Sequence, residues 1–189
     1  MRQFCIVLTA VCFSFTLASR AQDTITNALK TEIENFEAQT GTVIVKGFGE
    51  IGSVTASAGV ISVRCKESAN VSTGQKEYGI AFAFGNNRLR EFAVVDYDEI
   101  DSLLNGMDYL SKITPDATMM PEFEAIYSTK SGLRIVAYSA GRQGGIQDFL
   151  QFSDAPRILL ASDQMVQLRN LIAQAKTSLD ALKNKNSLP

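Results

Sequence analysis

The chain has no histidine and no tryptophan, and only three cysteines and four prolines among 189 residues. Without histidine there is no Ser-His-Asp triad, no Cys-His pair and no His-ligated zinc site. No GxxxxGK[ST] occurs, and no GxGxxG lies between a strand and a helix, so the familiar phosphate-binding loops are missing. Cys5 and Cys12 fall in the first apolar stretch, which leaves Cys65 alone in the rest of the chain. One cysteine builds neither an intrachain disulfide nor a thiolate metal site. In "VISVRCKES" it shares a strand face with Ile61 and Val63, as a small buried hydrophobe would. An intermolecular disulfide or a reactive thiol is the sharper alternative. No cofactor is expected.

What is present begins with "MRQFCIVLTAVCFSFTLASRAQ". Arg2 gives a positive start, Phe4 to Leu17 form an apolar run, and Ser19-Arg20-Ala21 offers small residues at a cleavage site. The run is too short to span a bilayer, which takes about 20 apolar residues. Residues 1–21 therefore read as a signal peptide cleaved after Ala21, and the product as secreted or periplasmic. Arg2 and Arg20 would leave with it and no acid would, so the net charge of −2 would fall to about −4. No later stretch is long and apolar enough to cross a membrane.

The remainder reads as one α+β domain over residues 22–184 with a short tail at 185–189. "DTITNALKTEIENFEAQTG" (23–41) predicts an amphipathic helix, with Ile25, Ala28, Leu29, Ile33 and Phe36 at helical spacing. The period then changes to two, predicting strands over 42–51, 56–65, 76–85 and 88–95, with a polar loop at 66–75. Gly79, Ala81 and Ala83 line one face of the third strand, small enough for another element to approach closely. A helix over 96–113 follows, interrupted by Gly106 at a cost of about 1 kcal/mol. Strands over 122–129, 133–139, 146–152 and 157–160 and a helix over 162–183 complete the series. The two joins align at an offset of 65 residues, with "VVDYDEIDSLLNGM" over "LLASDQMVQLRNLI". The pattern is an internal repeat of ββββα units at about 42–113 and 122–183, with antiparallel sheets each covered by a helix.

Few residues suggest chemistry. "VVDYDEID" (94–101) holds four acids, but a calcium loop starting at Asp96 would need Gly and Glu where Asp101 and Met107 stand. Asp96 followed by Glu99 predicts a capping box for the helix instead. Glu122 and Glu124 share a strand face and are the candidates for a carboxylate-based hydrolase. Arg142 in "GRQGG", with Arg134, Arg88 and Arg90, forms the candidate anion-contacting group. Asn70-Val71-Ser72 fits the N-glycosylation pattern. Leu168, Ile172, Leu179 and Leu182 lie on a heptad stripe that either packs on the chain's own sheet or offers a homodimer face.

"RILLASDQMVQLRNLI" is similar to the strand-to-helix junction of the positive-cofactor-four transcriptional coactivators. Asp163, Gln164 and Leu168 fit the pattern, and Met165 stands where that family has an aromatic. The ββββα unit repeated twice resembles the related plant Whirly proteins. The resemblance implies single-stranded DNA binding on a sheet face. The acidic charge and the export signal argue against it, because such binding needs a positive groove with stacking aromatics. The sequence supports an exported non-catalytic binding or structural protein, with the hydrolase and the nucleic-acid binder as alternatives.

Overall fold

The computed structural model describes residues 31–85, 90–141, 145–153 and 156–186, with only the backbone described for 90–92 and 186. The expected signal segment, residues 23–30 of the expected helix over 23–41, and Arg88 and Arg142 lie outside the described residues; within 31–41 the helix covers only Glu32–Glu37, since Thr31 is an extended cap that starts it there. Thr31 caps α1 (Glu32–Glu37) in a reciprocal capping box with Glu34. The first sheet follows as β1 (Ile44–Ala56), β2 (Gly59–Asn70), β3 (Lys76–Gly85) and β4 (Arg90–Asp96). A 3₁₀ turn, Tyr97–Glu99, leads into α2 (Ile100–Leu110). The second sheet is β5 (Phe123–Ser128), β6 (Leu133–Ser139), β7 (Ile146–Phe152) and β8 (Ile158–Leu160), closed by α3 (Ser162–Asn186). Both sheets are antiparallel meanders in chain order. The fold is α+β, with two ββββα units.

The strands form because alternation gives each an apolar inner face. Ile61, Val63 and Cys65 of β2 meet Tyr78, Ile80 and Phe82 of β3, and Leu133, Ile135, Leu150 and Phe152 do the same in the second sheet. These faces, α2 and α3 share one continuous apolar cluster. The helices interlock the units. α2 packs on β5 and β6, while α3 starts against β8 and runs across β1, β2 and β3 of the first sheet. Leu168, Ile172 and Leu179 are fully buried in this cluster, so the heptad stripe is core there and not a dimer face. Each such burial is worth roughly 1.5–3 kcal/mol. Only Leu182 of that group is exposed, at 41%.

Two expectations are corrected. β2 continues through Lys66–Asn70, where a loop was expected, because Lys66, Ser68 and Asn70 are buried against polar groups of α1 and the residues after it. The turn shrinks to 71–75. Asp96 makes no side-chain cap for the helix that follows it, and the first turn there is 3₁₀. Its carboxylate goes elsewhere, as described below.

The small face of β3 is where α1 docks. Ile33 packs with Ala81 and Val94, and a Cβ at Gly79 would stand 2.4 Å from the Val95 carbonyl oxygen and 2.6 Å from Ile33 Cδ1. Gly106 has a similar reason. A Cβ there would lie 2.3 Å from the Tyr127 ring, whose hydroxyl donates to Ser102 Oγ at 2.9 Å. Gly106→Ala is therefore expected to destabilise by about 1–3 kcal/mol through overpacking, although Ala is the better helix former. In Tyr127→Ala the same change should turn neutral or stabilising. Urea denaturation of the four proteins in the cycle checks this.

Candidate functional site

The acids of "VVDYDEID" gather at a junction of three elements. Asp96 ends β4 on the outer face, is 1% exposed, and accepts hydrogen bonds from the Glu32 amide at 2.7 Å and the Ile33 amide at 3.2 Å. It thus serves the amino end of α1, where backbone dipoles favour an anion. Glu99 accepts from the Lys130 amide at 2.9 Å, tying in the β5–β6 turn. Burial pushes the Glu99 carboxyl up against the opposing Lys130 contacts, with Asp96 and Asp98 adding to the rise. Burial, then Glu32 and Asp96, push Glu77 up as well.

Carboxylate oxygens of Glu32, Asp96 and Asp98 lie within 4.8 Å of one another, a spacing that a divalent cation can bridge. The cation in place is the Lys130 ammonium, 3.1 Å from Asp98 and 3.7 Å from Asp96. Both Asp96 oxygens already accept amides. The donor set fits an ion-paired structural hub better than a metal centre.

A different arrangement occupies the outer face of the first sheet. Alternation puts Lys46, Phe48 and Glu50 of β1 beside Ser68, Lys66 and Arg64 of β2. The Phe48 ring is 47% exposed, with the Arg64 guanidinium 4.8 Å and the Lys66 ammonium 5.6 Å from its centroid. Such contacts are worth about 0.5–1 kcal/mol each at exposed sites. Glu37 at the end of α1 binds Lys46, Lys66 at 3.0 Å and Ser68 at 2.6 Å. Burial alone would raise the Glu37 pKa, but these hydrogen bonds and the Lys66 charge outweigh it and hold the carboxyl below its usual range. Glu50 accepts from Ser62 at 2.6 Å. The result is an exposed aromatic ring in a frame of fixed charges. The signal was present in the alternation of "VKGFGE" against "VRCKES", where Arg64 and Lys66 oppose the buried Ile61, Val63 and Cys65.

Among the described residues, those singled out from the sequence do not converge. Arg134 is exposed on the second sheet, while the backbone of Arg90 begins β4 in the first. Glu124 is held by Arg157, whose Nη2 lies 3.0 Å from Oε2, and this pair lowers its pKa. A general acid requires the opposite shift. Cys65 is buried, its thiol pKa is raised by desolvation, and it contacts the Ala175 carbonyl at 3.5 Å. Asn70 is 4% exposed. Its Oδ1 accepts from the amides of Ser72 and Thr73, and its Nδ2 donates to Gln39 at 2.8 Å. That nitrogen is the one a glycan would require. Asp148 lines a cleft of about 540 Å³ with Ser57, Leu160, Ser162 and Gln164, and burial raises its pKa. Gln164 closes one side of this cleft by accepting from the Ala161 amide and donating to the Thr55 carbonyl, both at 2.8 Å.

No protein-family model, no curated protein and no solved structure matches this chain.

Asp96→Ala leaves two amides of α1 without an acceptor and is expected to cost about 2 kcal/mol. Hydrogen exchange should show faster exchange over 32–37 with the amides of α2 unchanged, the reverse of what a local cap would give. Folding lowers the pKa of Glu37, so its carboxylate stabilises the protein above its unfolded pKa, and this is lost as the pH falls through the folded value. Glu37→Gln should cost about 3 kcal/mol near neutral pH, because Lys66 is left buried. The difference from wild type should vanish below the carboxylate range, as thermal melts across pH would show.

Proposed function

We propose that this protein is an exported, non-catalytic binding protein whose contact surface is the outer face of the first sheet, centred on Phe48. The observation that carries the reading is the Phe48 ring, exposed on a polar face and flanked by Arg64 and Lys66. A ring held among fixed charges suits recognition, because it offers a flat apolar face with cations at its rim. The ligand it suits has a flat face to lie on the ring and hydrogen-bonding groups at its rim. Export rests on the signal-like residues 1–21. Among the described residues no helix is long and apolar enough to cross a membrane.

One observation favours a second reading. A ring between two cations on a sheet is also the chemistry of single-strand binding. Against it stand the net charge of −2 and the pairing of Lys46 and Lys66 with Glu37.

The test replaces Phe48 with a photo-crosslinking phenylalanine analogue in the expressing cell, with the exposed Val166 of α3 as the control position. A specific adduct from position 48, other than a doubled chain, is expected, and none from 166. Equal or absent adducts overturn the proposal. Fluorescence anisotropy with a labelled single-stranded oligonucleotide is expected to show no binding even at low salt; saturable, salt-sensitive binding would move the assignment to the second reading.

A further inference from the structure

β1 is thirteen residues long and stands at the edge of the first sheet, paired with β2 only. A long open edge invites another strand, and proteins usually blunt it. The carboxyl half of β1 is blunted, since Gln164 and Gln167 of α3 donate to the carbonyls of Thr55 and Ser53. The amino half, Ile44–Glu50, stays regular up to a bulge between Glu50 and Gly52. It carries Val45 at 53% and Phe48 at 47% exposure, with Val43 at 64% just before it. Gly47 and Gly49 separate them, and a Cβ at either would meet nothing closer than 3.9 Å. Packing within the chain therefore does not require these glycines. Beside them an apolar cleft of about 500 Å³ opens, lined by Gly49, Ile51, Cys65, Ala181 and Leu182.

We infer that this half-strand pairs antiparallel with its own copy about a two-fold axis at Phe48, giving a homodimer with one continuous eight-stranded sheet. Residues directly opposite in an antiparallel pair share a face, which limits the possible registers. Centring on Phe48 sets Lys46 opposite Glu50 of the second copy, twice by symmetry, and Gly47 opposite Gly49. Val45 then stands opposite Ile51, where its side chain enters the apolar cleft of the second copy. Centring on Lys46 would oppose like charges, and centring on Gly47 would leave no ion pair. Charge complementarity thus selects the register, and bare glycines allow the close approach. This inference does not rest on the ligand proposed above.

Sedimentation equilibrium of the purified chain tests it. The wild type is expected as a dimer. Lys46→Glu and Glu50→Lys each place like charges opposite and should weaken association about tenfold or more, a change of roughly 1.4 kcal/mol or above. The double variant restores both pairs with reversed sign and should return towards wild-type association. Glu50→Lys leaves the Lys46–Glu37 pair intact, so it remains decisive if Lys46→Glu melts early by circular dichroism. A monomeric wild type at every concentration overturns the inference. So does a dimer indifferent to Glu50→Lys, or a folded double variant that stays as weak as the single ones.

Discussion

The carboxylate of Asp96 is the contact on which the outer layer of the molecule depends. Six residues of helix do not persist alone in water, because nucleation costs more than so few hydrogen bonds return. α1 persists because Asp96 receives its first amides and Ile33 sits in the space above Gly79. Once α1 is held, its end delivers Glu37 to Lys66 and Ser68, and the segment after it delivers Gln39 to Asn70. Those contacts let a polar stretch continue as strand. A single acid at the end of β4 thereby sets the length of β2.

The units were legible in the sequence because their signals are local. Alternation from Tyr78 to Phe84 and the helical spacing of Ile100, Leu103 and Met107 are read within one element, and the structure follows them closely. The small face of β3 was also legible, since an absent side chain is visible in a sequence even when the element that fills the space is not. Contacts between distant residues were not legible. Asp96 followed by Glu99 satisfies a capping box on paper, yet its partners are 64 and 63 residues away. "KESAN" reads as loop by composition, and only the arrival of α1 turns its polar groups into buried, satisfied ones. Gly106 looked like a local weakness for the same reason, because Tyr127 belongs to the other unit.

The interlocking of the units explains why the heptad stripe misleads. A stripe on α3 has to meet something apolar, and its own chain supplies it twice, at β8 and along β1 to β3. Polar contacts then fix α3 against α2. Arg169 donates to both carboxylate oxygens of Asp108, and Lys176 reaches Asp101 at 3.4 Å. Surface pairs of this kind add little stability individually, so their effect is orientation more than energy.

Both covering layers end at the same place. On the outer face α1 reaches Lys46 and Lys66 through the carboxylate of Glu37, and Phe48 is left open. On the inner face α3 covers β1 from Gly52, whose Cβ would strike Leu171, and leaves Gly47 and Gly49 bare. The amino half of β1 exposes both faces together with an open edge. From Val45 to Glu50 its residues are exposed, yet they include a valine and a phenylalanine. The Phe48 ring lies exposed between two glycines. The contact surface proposed for Phe48 and the strand pairing inferred for β1 would each give that ring a use.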